Sequence, residues 1–216
     1  MADNFSFEQR RVAIVGGGAA GMMAAIHASL MGADVTLFEK NARLGRKLGI
    51  TGKGRCNVTN DCQTQEFMST VPTNAKFLFA ALNRFSTRDT MDFFESAGVP
   101  LKTERGKRVF PQSDKAQDIV RALSDKCREY GVTVINERVA SLIIEHGSAR
   151  GVVTDKGEYQ SDAVIVCTGG MSYTGTGSEG AEDWYSSAQV SRERARDEAL
   201  EVLSAVVNDQ TASEEA

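Results

Sequence analysis

The strongest constraint on the fold is a glycine-rich turn between an apolar segment and a run of helix-forming residues. Residues 12–15 are apolar, as expected of a buried strand, and a Gly-x-Gly-x-x-Gly pattern (Gly16, Gly18, Gly21) follows directly. In such a turn the first glycine allows a sharp bend, the second lets a phosphate approach the backbone, and the third lets the helix lie against the strand. The unpaired N–H groups of the first helical turn then face an anion. This stretch therefore predicts a dinucleotide site.

An acidic residue at the end of a second apolar segment strengthens this prediction. Residues 34–38 follow the predicted helix, and Glu39 lies 23 positions after Gly16, close to the ~20 expected for a carboxylate that binds a ribose diol. A carboxylate here disfavours a 2′-phosphorylated ribose, because two like charges about 4 Å apart cost roughly 4 kcal/mol at an effective dielectric constant of 20. The alternative is a glycine-rich turn that binds nothing, and the position of Glu39 argues against it.

Composition limits the class of protein. The 216 residues are 41% hydrophobic and 25% charged with a net charge of −4, as in an ordinary globular protein, and this charge disfavours nucleic-acid binding. The four cysteines form no CxxC pair and the two histidines no triad or metal pattern, so we expect a reducing cytoplasm, no metal site and structural roles for both histidines. The polar N-terminus predicts no secretory signal, and the glycines within the uncharged residues 13–33 favour a buried unit over a membrane span.

A basic, glycine-rich segment follows the second strand. Residues 41–60 contain five Lys or Arg residues, four glycines and no acid. Glycine-rich backbone with interleaved cations can form an anion cradle. The alternative is a solvated basic loop, but beside a dinucleotide turn we expect a second contact to the pyrophosphate.

The remaining patterns predict an open parallel sheet with two insertions. Residues 132–135 and 163–167 supply a third and a fourth parallel strand, and residues 139–161 form an antiparallel meander with two tight turns. Helices are expected at residues 74–85, 87–97 and 114–130, with a hairpin at residues 101–112. Ser86 and Ser113 are the expected N-caps of the second and third helices. The helix at residues 74–85 is expected to have an apolar face that consists of Phe77, Leu78, Ala81, Leu82 and Phe85.

Together these motifs resemble a known family, the BaiN/aminoacetone-oxidase-like flavoproteins with two dinucleotide-binding domains. The resemblance covers about residues 10–180 and rests on the following segments: 16–21 with Glu39, Gly-Arg-Lys at 45–47, Thr-Gly-Lys-Gly-Arg-Cys-Asn-Val-Thr-Asn at 51–60, 103–106 with 109–111, and 167–173. It implies an α/β fold: a Rossmann-like FAD-binding parallel sheet with an inserted antiparallel β-meander and a helical insert. It also implies FAD as cofactor, hydride transfer at the flavin, a small-molecule substrate, and NAD(P)H as a candidate electron donor.

The resemblance further implies which residues contact the cofactor. Gly16, Gly18, Ala19, Ala20 and Gly21 would face the pyrophosphate, Glu39 the adenosine ribose, and Arg46 and Lys47 the phosphate side, with Lys40 as a further cofactor-binding residue. Gly54, Cys56 and Asn57 match positions near the flavin ring, the backbone of Val139 would hold the adenine, and Thr168 and Gly169 return under the cofactor.

The pattern departs from the family towards the C-terminus. Thr174 stands where the family has proline, and from about Ala181 onward we expect no match. Residues 191–216 carry three basic and seven acidic residues. We therefore expect an incomplete FAD-binding domain at residues 1–180 and an acidic, partly helical or disordered tail at residues 181–216, through truncation or a frame change. A non-catalytic dinucleotide-binding fragment and an NAD-dependent dehydrogenase remain as alternative functions.

Overall fold

The computed structural model describes residues 9–170. The strands are β1 (Arg11–Val15), β2 (Asp34–Phe38), β3 (Thr59–Asn60), β4 (Leu101–Glu104), β5 (Arg108–Pro111), β6 (Thr133–Ile135), β7 (Val139–Glu145), β8 (Ser148–Thr154), β9 (Glu158–Gln160) and β10 (Ala163–Val166). The helices are α1 (Ala19–Leu30), the single turn α2 (Thr51–Gly54), α3 (Thr64–Thr70), α4 (Phe79–Arg84), α5 (Thr87–Ser96) and α6 (Ala116–Glu129), with 3₁₀ turns at Leu48–Ile50 and Ala75–Leu78.

A four-stranded parallel sheet forms the centre of the fold. Its strand order is β10-β1-β2-β6, so β1 lies inside the sheet between β2 and β10. This arrangement confirms the predicted Rossmann-like sheet and its four strands. The outer edge of β10 pairs with no strand among residues 9–170, although all four of its residues are apolar and half-buried.

Different elements cover the two faces of the sheet. On one face α1 and α6 bury a large apolar cluster that includes Ile14, Met22, Leu37 and Ile119. On the other face the meander β7-β8-β9 packs with Val15 and Phe38, and the Phe38 and Tyr159 rings meet edge to face with centroids 5.0 Å apart. The predicted meander is thus confirmed, and it covers the sheet beside the carboxyl ends of β1 and β2.

The hairpin and one helix cap of the insert match the predictions. Strands β4 and β5 pair antiparallel, and β3 adds to β5 as a third strand. Ser86 caps α5 in a capping box, because its hydroxyl accepts from the backbone N–H of Asp89 while the Asp89 carboxylate accepts from the N–H of Ser86.

Two helix predictions are corrected. Residues 74–85 are a 3₁₀ turn followed by the short α4, and Phe77 is 78% exposed rather than part of a buried face. The spacing of apolar residues indicates a face but not whether a partner surface exists to cover it. Helix α6 begins at Ala116, because Asp114 has a left-handed backbone with φ of 57°. Ser113 is therefore not the cap; its hydroxyl donates to the carboxylate of Asp118 instead.

Two further sequence features have structural counterparts. All four cysteines are free thiols, as expected for a chain without a disulfide framework. Within the described residues, no helix combines the length and apolar character that a membrane crossing requires. The predicted domain boundary near residue 180 lies outside the described residues.

A charged cluster ties the basic segment to the hairpin. Nε of Arg55 donates to Asp114 at 2.8 Å, an Nη of Arg55 donates to Glu104, and Nζ of Lys102 donates to Asp114 at 2.6 Å. The Arg55 guanidinium also lies over the Phe110 ring, 4.2 Å from its centroid. Arg55, predicted as part of an anion cradle, is therefore committed to contacts within the fold.

We expect Arg55→Met to lower the thermal midpoint at pH 7 by more than Arg84→Met, which removes an exposed arginine. Hydrogen bonds to Arg55 and Lys102 lower the pKa values of Glu104 and Asp114. A lowered carboxyl pKa contributes stability above the unfolded value of about 4, and this contribution is lost as the pH falls through the lowered value. Thermal melts from pH 7 to pH 2 should therefore show a smaller acid-induced loss in Arg55→Met than in the wild type. An equal loss in both proteins would contradict the assignment.

Candidate nucleotide-binding site

A cavity of 320 Å³ opens at the carboxyl ends of β1, β2 and β10. Strand β1 connects through α1 to β2 on one side and pairs with β10 on the other, so the cavity lies where the strand order changes direction. In open parallel sheets this is the usual place for a ligand. The lining residues are Val15–Ala20, Phe38–Asn41, Gly45–Leu48, Thr51, Glu137–Val139 and Cys167–Gly169.

The three motif glycines have different roles. Gly16 has a φ of 104°, and a Cβ there would lie 2.5 Å from the carbonyl oxygen of Cys167. A Cβ on Gly21 would lie 1.8 Å from the carbonyl oxygen of Gly16, so Gly21 allows α1 to pack against the turn. A Cβ on Gly18 would have no atom within 4 Å, and Gly18 lines the cavity. Gly16 and Gly18 therefore shape the cavity, whereas Gly21 is absent from its lining.

The N-terminus of α1 forms part of the cavity wall. Gly18 is the N-cap and provides no side-chain cap, and the exposed Ala19 and Ala20 line the cavity. The N–H groups of a first helical turn lack intrahelical partners, and the helix dipole adds positive potential there. This end of the cavity is suited to an anion.

Glu39 is held in the cavity by three N–H donors. Its Oε2 accepts from the backbone N–H of Gly17 at 2.8 Å, and its Oε1 accepts from the backbone N and the Nδ2 of Asn41 at 2.8 and 2.6 Å. A Cβ at Gly17 would lie 2.4 Å from Cδ2 of Leu44 and 3.1 Å from Oε2 of Glu39, so a side chain there would have to displace Leu44 and crowd the carboxylate. The carboxylate is therefore fixed at the end of β2, as a ribose acceptor would need to be.

Four cations line the same cavity as two acids, Glu39 and Glu137. Arg46 donates from Nη1 to Oδ1 of Asn41 at 2.7 Å, and Lys47 donates from Nζ to the carbonyl of Gly170 at 3.3 Å. The structure thus brings Arg46 and Lys47 of the basic segment to the cavity, together with the predicted Lys40. The four cations are Lys40, Arg46, Lys47 and Arg138.

The end of β10 returns to the cavity, as expected. Thr168 and Gly169 line it. The hydroxyl Oγ1 of Thr168 is buried and has no hydrogen-bond partner among residues 9–170. A buried hydroxyl without a partner costs about 1–3 kcal/mol, so a polar ligand that supplies one fits this position.

The three residues predicted near a ring system occupy different places. Cys56 and Asn57 line a second cavity of 270 Å³, whose walls are mainly apolar, while Gly54 lines neither cavity. The two cavities share Ala19, Ala20 and Leu48, so they adjoin each other across the start of α1. Burial raises the pKa of the Cys56 thiol, which keeps it protonated and disfavours a role as a nucleophile.

The start of the meander closes the far side of the first cavity. Val139, predicted from its position, is 5% exposed and lines this cavity. The preceding Glu137 is held by Tyr159 and Thr154, whose hydroxyls donate to its Oε2 at 3.0 and 2.7 Å. The structure adds cavity residues that the sequence reasoning missed: Gly17, Asn41, Thr51, Glu137 and Arg138. Gly17 and Thr51 lie within segments 16–21 and 51–60, which carry the resemblance, and Asn41 is a side-chain amide two positions after the ribose acid, whereas Glu137 and Arg138 had no local signal.

The fold and the cavity define a Rossmann-type nucleotide-binding domain. Residues 10–194 match the family model described as HI0933-like protein Rossmann domain, and the chain belongs to this family. This result confirms the resemblance found in the sequence. The match runs beyond residue 181, so the prediction that the resemblance ends there is wrong.

Curated relatives extend well beyond the matched region. The chain is 33% identical over 176 residues to the 3-dehydro-bile acid delta(4,6)-reductase of Clostridium scindens, covering 79% of this chain and 42% of that protein. It is 31% identical over 168 residues to the ribosomal RNA dihydrouridine synthase of Escherichia coli, covering 76% of this chain and 40% of that protein. The chain therefore spans about 40% of the length of these relatives.

A solved structure shows the same fold at low sequence identity. The 3-ketosteroid-delta4-(5alpha)-dehydrogenase of Rhodococcus jostii is 16% identical, with a TM-score of 0.57, covering 80% of this chain and 49% of that one.

Proposed function

We propose that this chain binds FAD in the first cavity and forms the cofactor-binding part of an FAD-dependent oxidoreductase. The observation that carries the proposal is the convergence on one cavity of the open Gly18, the fixed Glu39 carboxylate and the Thr168 hydroxyl, which has no partner among residues 9–170. Membership of the family supports it. The donor set fits a dinucleotide with a ribose at Glu39 and a pyrophosphate at the start of α1.

Each predicted contact then has a proposed role. Gly16, Gly18, Ala19 and Ala20 present backbone to the pyrophosphate, and Arg46 and Lys47 add positive charge on its other side. Lys40 follows Glu39 at the ribose end, the Val139 backbone faces the adenine, and Thr168 and Gly169 lie under the cofactor. Gly21 acts indirectly, because it lets α1 approach the turn. We retain Cys56 and Asn57 as ring-end contacts, since their cavity adjoins the first, and propose for Gly54 only a place in their loop.

The chemistry of the proposed enzyme is hydride transfer, which the flavin supplies when bound. The residues of this chain bind and orient the cofactor, and we assign no catalytic side chain among them. The mainly apolar second cavity supports a small-molecule substrate, and the net charge of −4 argues against RNA. NAD(P)H as electron donor and a cytoplasmic location remain parts of this proposal.

A ligand panel tests the proposal. Calorimetric titrations of the purified chain would compare FAD, FMN, NAD⁺ and NADP⁺. FAD should bind most tightly. FMN should bind at least tenfold more weakly, because it lacks the adenosine that reaches Glu39 and Val139. Glu39→Arg should weaken FAD binding by roughly 1.5–3 kcal/mol, because it removes a charged hydrogen-bond acceptor.

A charge-matched control accompanies this variant. Glu145→Arg makes the same charge change at an exposed position outside the cavity and should leave FAD affinity unchanged. Equal affinities for FAD and FMN, or tightest binding of NAD⁺, would contradict the proposal. The second result would favour the dehydrogenase alternative.

A further inference from the structure

The Glu39 carboxylate accepts three hydrogen bonds from other residues of the described chain. Oε1 accepts two hydrogen bonds from Asn41, one from the backbone N at 2.8 Å and one from Nδ2 at 2.6 Å. Oε2 accepts one, from the backbone N of Gly17 at 2.8 Å. A carboxylate has about four lone-pair positions, two on each oxygen. Three of them are therefore occupied, and the remaining one is on Oε2.

Asn41 is itself fixed in the orientation that fills Oε1. Arg46 donates from Nη1 to Oδ1 of Asn41 at 2.7 Å, so the amide oxygen faces Arg46 and the amide nitrogen faces Glu39. Nδ2 of Asn136 donates to the carbonyl oxygens of both Glu39 and Asn41. The backbone and the side chain of Asn41 are both held, which opposes a swing of Asn41 away from Glu39.

We propose that Asn41 is a positioning residue that occupies Oε1 of Glu39, so that this carboxylate accepts from only one hydroxyl of the adenosine ribose, at Oε2. The inference rests on the proposed function, because it concerns the ribose of a dinucleotide bound in the first cavity. It replaces the expectation of two hydroxyl contacts to Glu39 with one, and it makes Asn41 and Arg46 determinants of ribose recognition.

Deoxynucleotides test the inference on the unmodified chain. Calorimetric titrations would compare ADP, 2′-deoxy-ADP and 3′-deoxy-ADP, all of which carry the adenosine and pyrophosphate but no flavin. We expect one deoxy analogue to bind at least about tenfold more weakly than ADP, because it loses a hydrogen bond to a charged group. The other analogue should bind within about twofold of ADP. Comparable loss for both analogues, or loss for neither, would overturn the inference while leaving the proposed function intact. Absence of ADP binding would overturn both.

The variant Asn41→Ala tests the positioning role directly. Removing Nδ2 leaves a lone pair free on Oε1, so the second hydroxyl gains an acceptor. The analogue that the wild type tolerates should then bind several-fold more weakly than ADP. Asn83→Ala, at an exposed position on α4, is the matched control and should keep the wild-type pattern. Persistence of the one-hydroxyl pattern in a folded Asn41→Ala protein would show that Asn41 does not set it.

Discussion

Gly21→Ala should unfold the protein or destabilise it by at least about 3 kcal/mol, the upper end of the cost of overpacking. A Cβ at this position would lie 1.8 Å from the carbonyl oxygen of Gly16 and 3.0 Å from its carbonyl carbon. Both atoms belong to the backbone of the turn, so neither can move aside as a flexible side chain could. Relief requires α1 to shift away from β1, and that shift opens the apolar cluster around Met22 and Ile26. Circular dichroism and thermal melts would measure the loss.

Gly18→Ala is the matched substitution three positions earlier. Gly18 has a φ of −79°, which alanine can also adopt. The Cβ of the alanine would meet no atom within 4 Å. The free energy of unfolding should therefore change by no more than about 1 kcal/mol, the cost of a poorer N-cap. FAD or ADP affinity should fall at least about tenfold, because the methyl group projects into the space where a phosphate would approach the backbone. Similar stabilities for the two alanine variants would contradict the roles assigned to the two glycines.

The second large effect concerns turnover. We expect the 216-residue chain with added FAD to oxidise NADH or NADPH no faster than free FAD in the same buffer. A flavin reacts efficiently when its ring is enclosed and its substrate is held in a fixed geometry. The first cavity has a volume of 320 Å³, near the lower end of the range for ligand sites, so the described residues would enclose the adenosine and pyrophosphate of the proposed FAD but not its flavin ring.

Absorbance at the nicotinamide band would follow this reaction, with free FAD and a full-length relative as controls. The chain spans about 40% of the length of its curated relatives, so a full-length relative serves to show whether the assay conditions support turnover. Sustained turnover with stoichiometric flavin in the 216-residue chain would show that this part of the protein suffices for catalysis.

The βαβ unit was predictable from sequence because its parts are adjacent along the chain. Strand β1, the glycine turn, α1 and β2 all lie within residues 11–38, and each has a local pattern. The positions of Gly16, Gly21 and Glu39 followed from the steric and hydrogen-bonding needs of that turn. The meander was equally predictable, because tight turns separate its strands at short intervals.

The contacts between distant segments were not predictable in the same way. Arg55 looked like one more cation of an anion cradle, yet Glu104 and Asp114, 49 and 59 positions away, hold it. Glu137 and Arg138 reach the cavity because they follow β6, whose pairing with the distant β2 brings them to the carboxyl end of the sheet. Phe77 shows the opposite error, since helical spacing predicted a buried face where the described residues provide no cover. Local pattern indicates what a residue can do, and tertiary pairing decides which of these roles it takes.

The outer edge of β10, which pairs with no strand among residues 9–170, bears on how the protein behaves at high concentration. Residues 163–166 are all apolar, and this edge has neither the lysine nor the proline that commonly discourages further pairing. Such an edge is a template onto which another extended chain can add backbone hydrogen bonds. Self-association through β10 would then compete with the isolated folded chain.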